Sequence, residues 1–293
     1  VIYVINIKGE LLDDIRIKDI ILASPDAKVN ELMDDRFISL HVNDDQELAN
    51  EAFKMNNRVA LPVTDDSNIL LGIITIDDVL WVTNEEFSED IQKIGGTEAL
   101  NEPYIDISIF KLVKKRAGWL VLLFFGELLT ASAMQFFQKE IEAATVLTLF
   151  IPLIVSSGGN TGSQACTLII QAMALGELTI ADWWRVMKRE LISGFLLGVI
   201  LGSLGFMRIL LWQRLHIFDY GIYWLPVAAT IFFSLIGIVL WGSMMGSMLP
   251  IILKKFKLDP AASSAPFVAT LVDVTGIVIY FSVAYFFLKG LLL

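Results

Sequence analysis

The chain has 293 residues, 55% of them apolar, with a mean hydropathy of +0.65 and a formal net charge of −10. That length allows two domains, and that apolar content is high for a wholly soluble protein. The single cysteine, Cys166, excludes an internal disulfide, and nothing points to an oxidising compartment.

The acidity is unevenly placed. Residues 1–116 hold 23 acids against 12 bases, whereas 117–293 hold 9 against 10. The first part therefore reads as a soluble module and the second as a membrane module. The chain opens on Val1, inside what reads as a strand, so natural sequence is expected upstream.

In the soluble part, residues 1–5 and 11–17 read as paired strands around a Lys8-Gly9-Glu10 turn, and 59–63 and 69–74 repeat that plan around Asp65-Asp66-Ser67-Asn68. Helical periods follow each pair, at 18–23 and 77–86. Between them, residues 45–57 place Leu48, Ala52, Phe53 and Met55 on one helix face, with Asp44 or Asp45 as N-cap. This tandem of strands and helices is similar to a cystathionine-β-synthase (CBS) domain pair whose first copy is incomplete, spanning 1–83. The resemblance rests on Ala60-Leu61-Pro62-Val63, Leu71-Gly72-Ile73-Ile74-Thr75 and Asp77-Asp78-Val79-Leu80. It implies a regulatory α/β module that senses ATP or another adenine nucleotide, or metal ions. Asp77, Asp78, Glu85, Glu86, Glu89 and Asp90 crowd one short stretch. They form either an ordinary solvated face or an oxygen-rich surface suited to hard divalent cations.

Residues 84–116 read as a connecting helix and juxtamembrane linker, broken at Gly95-Gly96 and Pro103 and ending in Lys111, Lys114, Lys115 and Arg116. Basic and aromatic residues are not interleaved there, so the cluster suits a cytoplasmic membrane interface and not a nucleic acid. Five apolar runs follow, at about 117–137, 145–176, 191–212, 223–253 and 261–288, each long enough to cross a bilayer. Ten Lys and Arg flank one side of these spans and four the other, which places the acidic module in the cytoplasm and the C-terminus outside the cell membrane.

Three features inside these runs are polar. The second span carries Ser156-Ser157-Gly158-Gly159-Asn160-Thr161-Gly162-Ser163-Gln164, either a close-packing seam or the wall of a pore. Glu127 lies in the first span, with a pore role or a packing role. Asp273 lies near the middle of the fifth, with Pro266, Thr270, Thr275 and Gly276 as residues able to loosen the helix and free carbonyls. A carboxylate at bilayer depth costs several kcal/mol unless it faces protein or water. Asp273 is thus either a hydrogen-bonded packing residue or a cation site.

The stretch PLIVSSGGNTGSQACTLIIQAMALG at 152–176, with Leu249-Pro250, Leu258-Asp259-Pro260-Ala261 and PFVATLVDVTG at 266–276, resembles the membrane domain of the MgtE family of magnesium channels and transporters. With the CBS module upstream the resemblance covers nearly the whole chain; the family's N-terminal helical domain is the part missing. It implies an α/β cytoplasmic module followed by an all-α polytopic membrane domain of five helices. It also implies a homodimer with a two-fold pore, Mg²⁺ as the conducted and regulating ion, and no enzymatic activity. Asp273 and the carbonyl of Ala269 fall on the principal ion site, with Gly159, Asn160, Gln164, Ala265, Thr270 and Glu127 as pore-lining candidates. Asp259, Asp45, Glu47, Asp78, Glu86, Glu89 and Asp90 fall on regulatory acidic positions, whereas Asn57 departs from the acid expected there. Ala265 stands where a pore-facing polar side chain occurs in the family. Other readings are a transporter of Mn²⁺, Co²⁺ or Ca²⁺, and a non-conducting CBS-type membrane sensor. Soft metals are disfavoured by the lone Cys166 and the scattered His41 and His216.

Overall fold

The structure, a computed structural model, describes residues 1–34, 36–56 and 58–292, without the side chains of Glu47, Glu51 and Lys54. The chain divides into two units, Val1–Ser88 and Glu89–Leu293.

The first unit is α/β. Strand β1 (Ile2–Ile5) pairs antiparallel with β2 (Leu11–Ile15), and their turn is shaped by the Asn6 side chain, whose Oδ1 accepts from the amides of Lys8 and Glu10. Leu11, Asp13 and Ile15 of β2 point inward by the two-residue period of a strand. A short helix α1 (Ile17–Leu22) follows. The second sheet has order β3 (Leu40–His41), β4 (Ala60–Thr64), β5 (Leu70–Thr75); β3 runs parallel to β4, and β4 antiparallel to β5. The β4–β5 turn is an Asx-type turn, with Asp65 Oδ1 accepting from the amides of Ser67 and Ile69. Helix α2 (Gln46–Asn56) presents Ala49 and Phe53 to this sheet, and α3 (Ile76–Ile94) adds Val79, closing a core with Leu40 and Leu61. Arg58 is bound by both carboxylate oxygens of Asp14, at 2.5 and 3.2 Å, with both side chains largely buried. The two hairpins and α2 lie where the sequence pattern puts them, whereas α3 starts as expected and runs on to Ile94, beyond the expected end at 86. The two-residue β3 and its parallel pairing carry no sequence signal.

The second unit is helical: α4 (Ile109–Phe136), α5 (Gln138–Ala143), α6 (Ile151–Ala174), α7 (Trp183–Arg214), α8 (Trp224–Lys255) and α9 (Ala265–Leu288), with 3₁₀ turns at Thr145–Phe150, Ile180–Asp182 and Pro260–Ala262. Among the described residues, five helical segments are long and apolar enough to cross a membrane, as expected from the sequence. Their ends differ from the apolar runs, because hydrogen bonding and not hydropathy ends a helix. Thus α4 starts at Ile109, with Ser108 as N-cap, and contains the whole basic cluster.

Helix α8 is the centre of the unit, packing on α6, α7 and α9. Its Gly242 and Gly246 lie directly on the backbone carbonyls of Gly158 and Gly162 of α6, so that any side chain at Gly246 would overlap the Gly162 carbonyl. Lipid tails give no hydrophobic drive to helix association, and such backbone-to-backbone approach is how spans gain packing energy. On the α7 side, Gly194, Gly198, Gly202 and Gly205 meet Ser243, Ile236, Phe232 and Ile231 in turn.

Helices α6 and α9 run unbroken through their polar stretches, so Pro266, Thr270, Thr275 and Gly276 do not open α9. Hydroxyls of Ser157, Thr161 and Thr275 donate to carbonyls four residues back, so these residues are satisfied without opening the helix. Thr275 also accepts from Trp241 Nε1 at 2.9 Å, which ties α9 to α8.

Candidate cation site

Asp273 is positioned by three helices. Ser264 caps α9, with Pro266 in the first turn where a missing amide costs nothing. Ala265, Ala269 and Asp273 then recur at four-residue spacing and share one face of α9. Helix α6 runs along this face. A Cβ built on Gly159 would lie 3.4 Å from the Ala269 Cβ and 3.6 Å from Asp273 Oδ1. One turn on, Ser163 Oγ donates to the Ala265 carbonyl at 3.0 Å, and one further, Cys166 Sγ contacts the Ser263 carbonyl at 2.9 Å. From the third side, Gly126 of α4 meets Thr270, which brings the next residue, Glu127, near Asp273.

The result is a half-buried carboxylate against a glycine backbone, with a second carboxyl beside it. Two carboxylates brought near each other repel, and a cation between them relieves the repulsion. The glycine matters because any side chain at 159 would fill the space in front of Asp273.

Asn160 and Gln164 are exposed, and they belong to a longer stripe: Ser156, Asn160, Gln164, Thr167 and Gln171 succeed one another on one exposed face of α6. A polar stripe inside an otherwise apolar span must face protein or water. Thr167 and Gln171 extend the Ser156 to Gln164 stretch, and their helical spacing is the sequence signal that joins them to it.

The other acids fall into separate places. In the first unit Asp45 and Asp78 line one cleft together with His41, Asp44, Gln46 and Val79. Asp78 accepts from the Thr75 hydroxyl at 2.7 Å and its amide at 3.1 Å, bonds that hold its carboxyl below the ordinary aspartate range and fix the start of α3. Glu86 accepts from Gln46 Nε2, joining α3 to the start of α2. The side chain of Glu47, and Asn57, lie outside what the structure describes. In the second unit Glu89 and Asp259 are joined through Lys93, which no sequence motif marks, and Asp90 has contacts of its own. Among the described residues no group of three or more Asp, Glu, His or Cys converges closely enough to hold a metal ion.

Comparison with known proteins adds to this geometry. Residues 151–283 match the MgtE model, described as a divalent cation transporter, and residues 12–84 match the CBS domain. The chain is similar to the magnesium transporter MgtE of Thermus thermophilus, 37% identical over 99% of this chain and 62% of that protein. The MgtE of Bacillus subtilis is 31% identical over 99% and 62%, and that of Enterococcus faecalis 28% identical over 98% and 61%. The chain therefore spans about three fifths of the length of the curated relatives that it matches. Among solved structures, the soluble part of a magnesium transporter is 36% identical over 29% of this chain and 33% of that one, with a TM-score of 0.28. The cytosolic domain of the Mg²⁺ channel MgtE in complex with ATP is 35% identical over 27% and 32%, with a TM-score of 0.27.

Proposed function

We propose that the chain, whose residues 151–283 match the MgtE model of divalent cation transporters, carries Mg²⁺ passively across the cell membrane through a pore at a homodimer axis. The observation that carries this reading is Asp273, set on α9 against the bare backbone of Gly159, beside the polar stripe of α6. That stripe is exposed on the single chain, and a second copy facing it across a water-filled axis supplies the polar environment that it needs.

In this reading two Asp273 carboxylates face each other, with the Ala269 carbonyls one turn away. Mg²⁺ sheds water reluctantly, so the pair would hold the ion through its hydration shell. Gly159, Asn160, Gln164, Ala265 and Thr270 line the path, and Glu127 adds negative charge beside the ion. The 1–83 part acts as a CBS module with an incomplete first copy, cytoplasmic by the charge bias of the loops, leaving the C-terminus outside. Cytosolic Mg²⁺ gathers at Asp45, Glu47, Asp78, Glu86, Glu89, Asp90 and Asp259 and favours the closed pore. Low Mg²⁺ restores repulsion among those acids and favours opening. The cleft at His41, Asp45 and Asp78 is the place for an adenine nucleotide such as ATP.

The test is Mg²⁺ flux into liposomes carrying the full chain, over a series of Mg²⁺ concentrations on the CBS side, with Asp273→Asn beside it. Flux should fall to that of empty liposomes in the variant. Undiminished flux in Asp273→Asn removes the pore proposal, and absence of flux in both leaves a membrane sensor. The family description covers divalent cations in general, so Mn²⁺, Co²⁺ and Ca²⁺ are included as competitors.

A further inference from the structure

Lys93 sits in the last turn of α3, and its ammonium meets two carboxylates: Glu89 at 2.5 Å, one helical turn earlier, and Asp259 at 2.6 Å. Asp259 comes from the turn between α8 and α9, where its other oxygen accepts from the Ala261 amide at 2.8 Å and caps the Pro260–Ala262 turn. The three side chains are 29%, 35% and 38% exposed, so the group is neither loose on the surface nor sealed. Burial alone would lower the pKa of the ammonium. Its bonds to Asp259 and Glu89 outweigh that and hold it above the ordinary lysine value, a fixed cation at any physiological pH. Immediately after this turn Gly96 meets the ring of Pro266 and the hydroxyl of Ser264 at the start of α9.

We propose that Lys93 is a tethered competitor for the regulatory cation at Asp259 and so sets the Mg²⁺ concentration at which the pore closes. This rests on the gating reading above. Two carboxylates and one ammonium carry a net charge of −1, attractive to a divalent ion yet already half neutralised. An incoming ion must turn the ammonium out, and the four-carbon stem keeps it close enough to return when the ion leaves. The competition makes closure respond to a higher Mg²⁺ concentration than the bare acids would require.

The experiment measures Mg²⁺ flux against internal Mg²⁺ for the full chain in liposomes, with Lys93→Gln, Lys93→Arg and the double variant Lys93→Gln/Asp259→Asn. The half-closing concentration should fall roughly tenfold in Lys93→Gln, the effect of removing one screened charge a few ångströms from a divalent ion. It should stay near the original in Lys93→Arg and rise again in the double variant, which also serves as the check on folding. A midpoint unchanged in Lys93→Gln overturns the proposal. A midpoint that rises makes Lys93 a latch of the closed form and overturns it equally. Calorimetric titration of the detergent-purified full chain with Mg²⁺ separates the two ideas. Tighter binding in Lys93→Gln without Mg²⁺-dependent closure keeps the competition and removes the gating reading, whereas unaltered binding removes the competition.

Discussion

The two units are held together by opposite means. The first closes its core with large side chains: Phe53 and Leu61 are almost fully buried and lock α2 onto β4. The second gains its closest approach by having no side chain at all, at Gly158, Gly162, Gly242 and Gly246, where α6 and α8 touch backbone to backbone. Water drives the first arrangement, since burying a Phe or Leu removes apolar surface from it. Hydrocarbon solvent drives nothing of the kind, so spans win only by packing more closely against each other than against lipid. Helix α4 marks the limit of that rule: it lacks such a seam on α8, and no residue within it is buried.

The comparison breaks most readily at the seam. Gly246→Val puts a branched side chain into the Gly162 carbonyl, and the helices must part; we expect a loss of about 3 kcal/mol or more, seen as aggregation on size exclusion in detergent and a collapsed melting transition. A mild effect there would mean that α6 and α8 are free to slide, and that the small residues are not what holds them. The counterpart in the first unit is Phe53→Ala, which empties the core between α2 and β4 at a cost of about 3 kcal/mol. Hydrogen exchange of the full chain should quicken at β3, β4 and β5 and stay unchanged at α6 and α8. The smallest effect is expected at Thr275→Val, which leaves Trp241 Nε1 without its acceptor and costs about 1 kcal/mol, read as a shift of the melting midpoint with the Trp emission moved.

Much of this was legible in the residues. Alternating apolar runs with Asp and Asn turns gave both hairpins, and the five spans followed from apolar length. The acid Asp273, without a basic residue in its own segment, stood out as a candidate site. What stayed hidden depends on long-range geometry. Nothing near Asp259 in sequence announces Lys93, because the two meet across 166 positions. Likewise the polar residues of α9 suggest a loosened helix when read along the chain, and those of α6 an interrupted span. Only the helix shows their hydroxyls folding back onto carbonyls one turn earlier, which leaves the backbone intact and the side chains as the polar surface.

The seat of Gly96 on Pro266 has a mechanical consequence. Helix α9 is unbroken from Ala265 to Leu288 and so behaves as a stiff rod. Asp273 stands about 10 Å along it from Pro266, at 1.5 Å of rise per residue. A tilt of about 5° pivoting on that first turn swings the carboxylate sideways by about 1 Å. The contact of Gly96 with Pro266 thus sits at the short end of a lever, and a small tilt there is enlarged at Asp273.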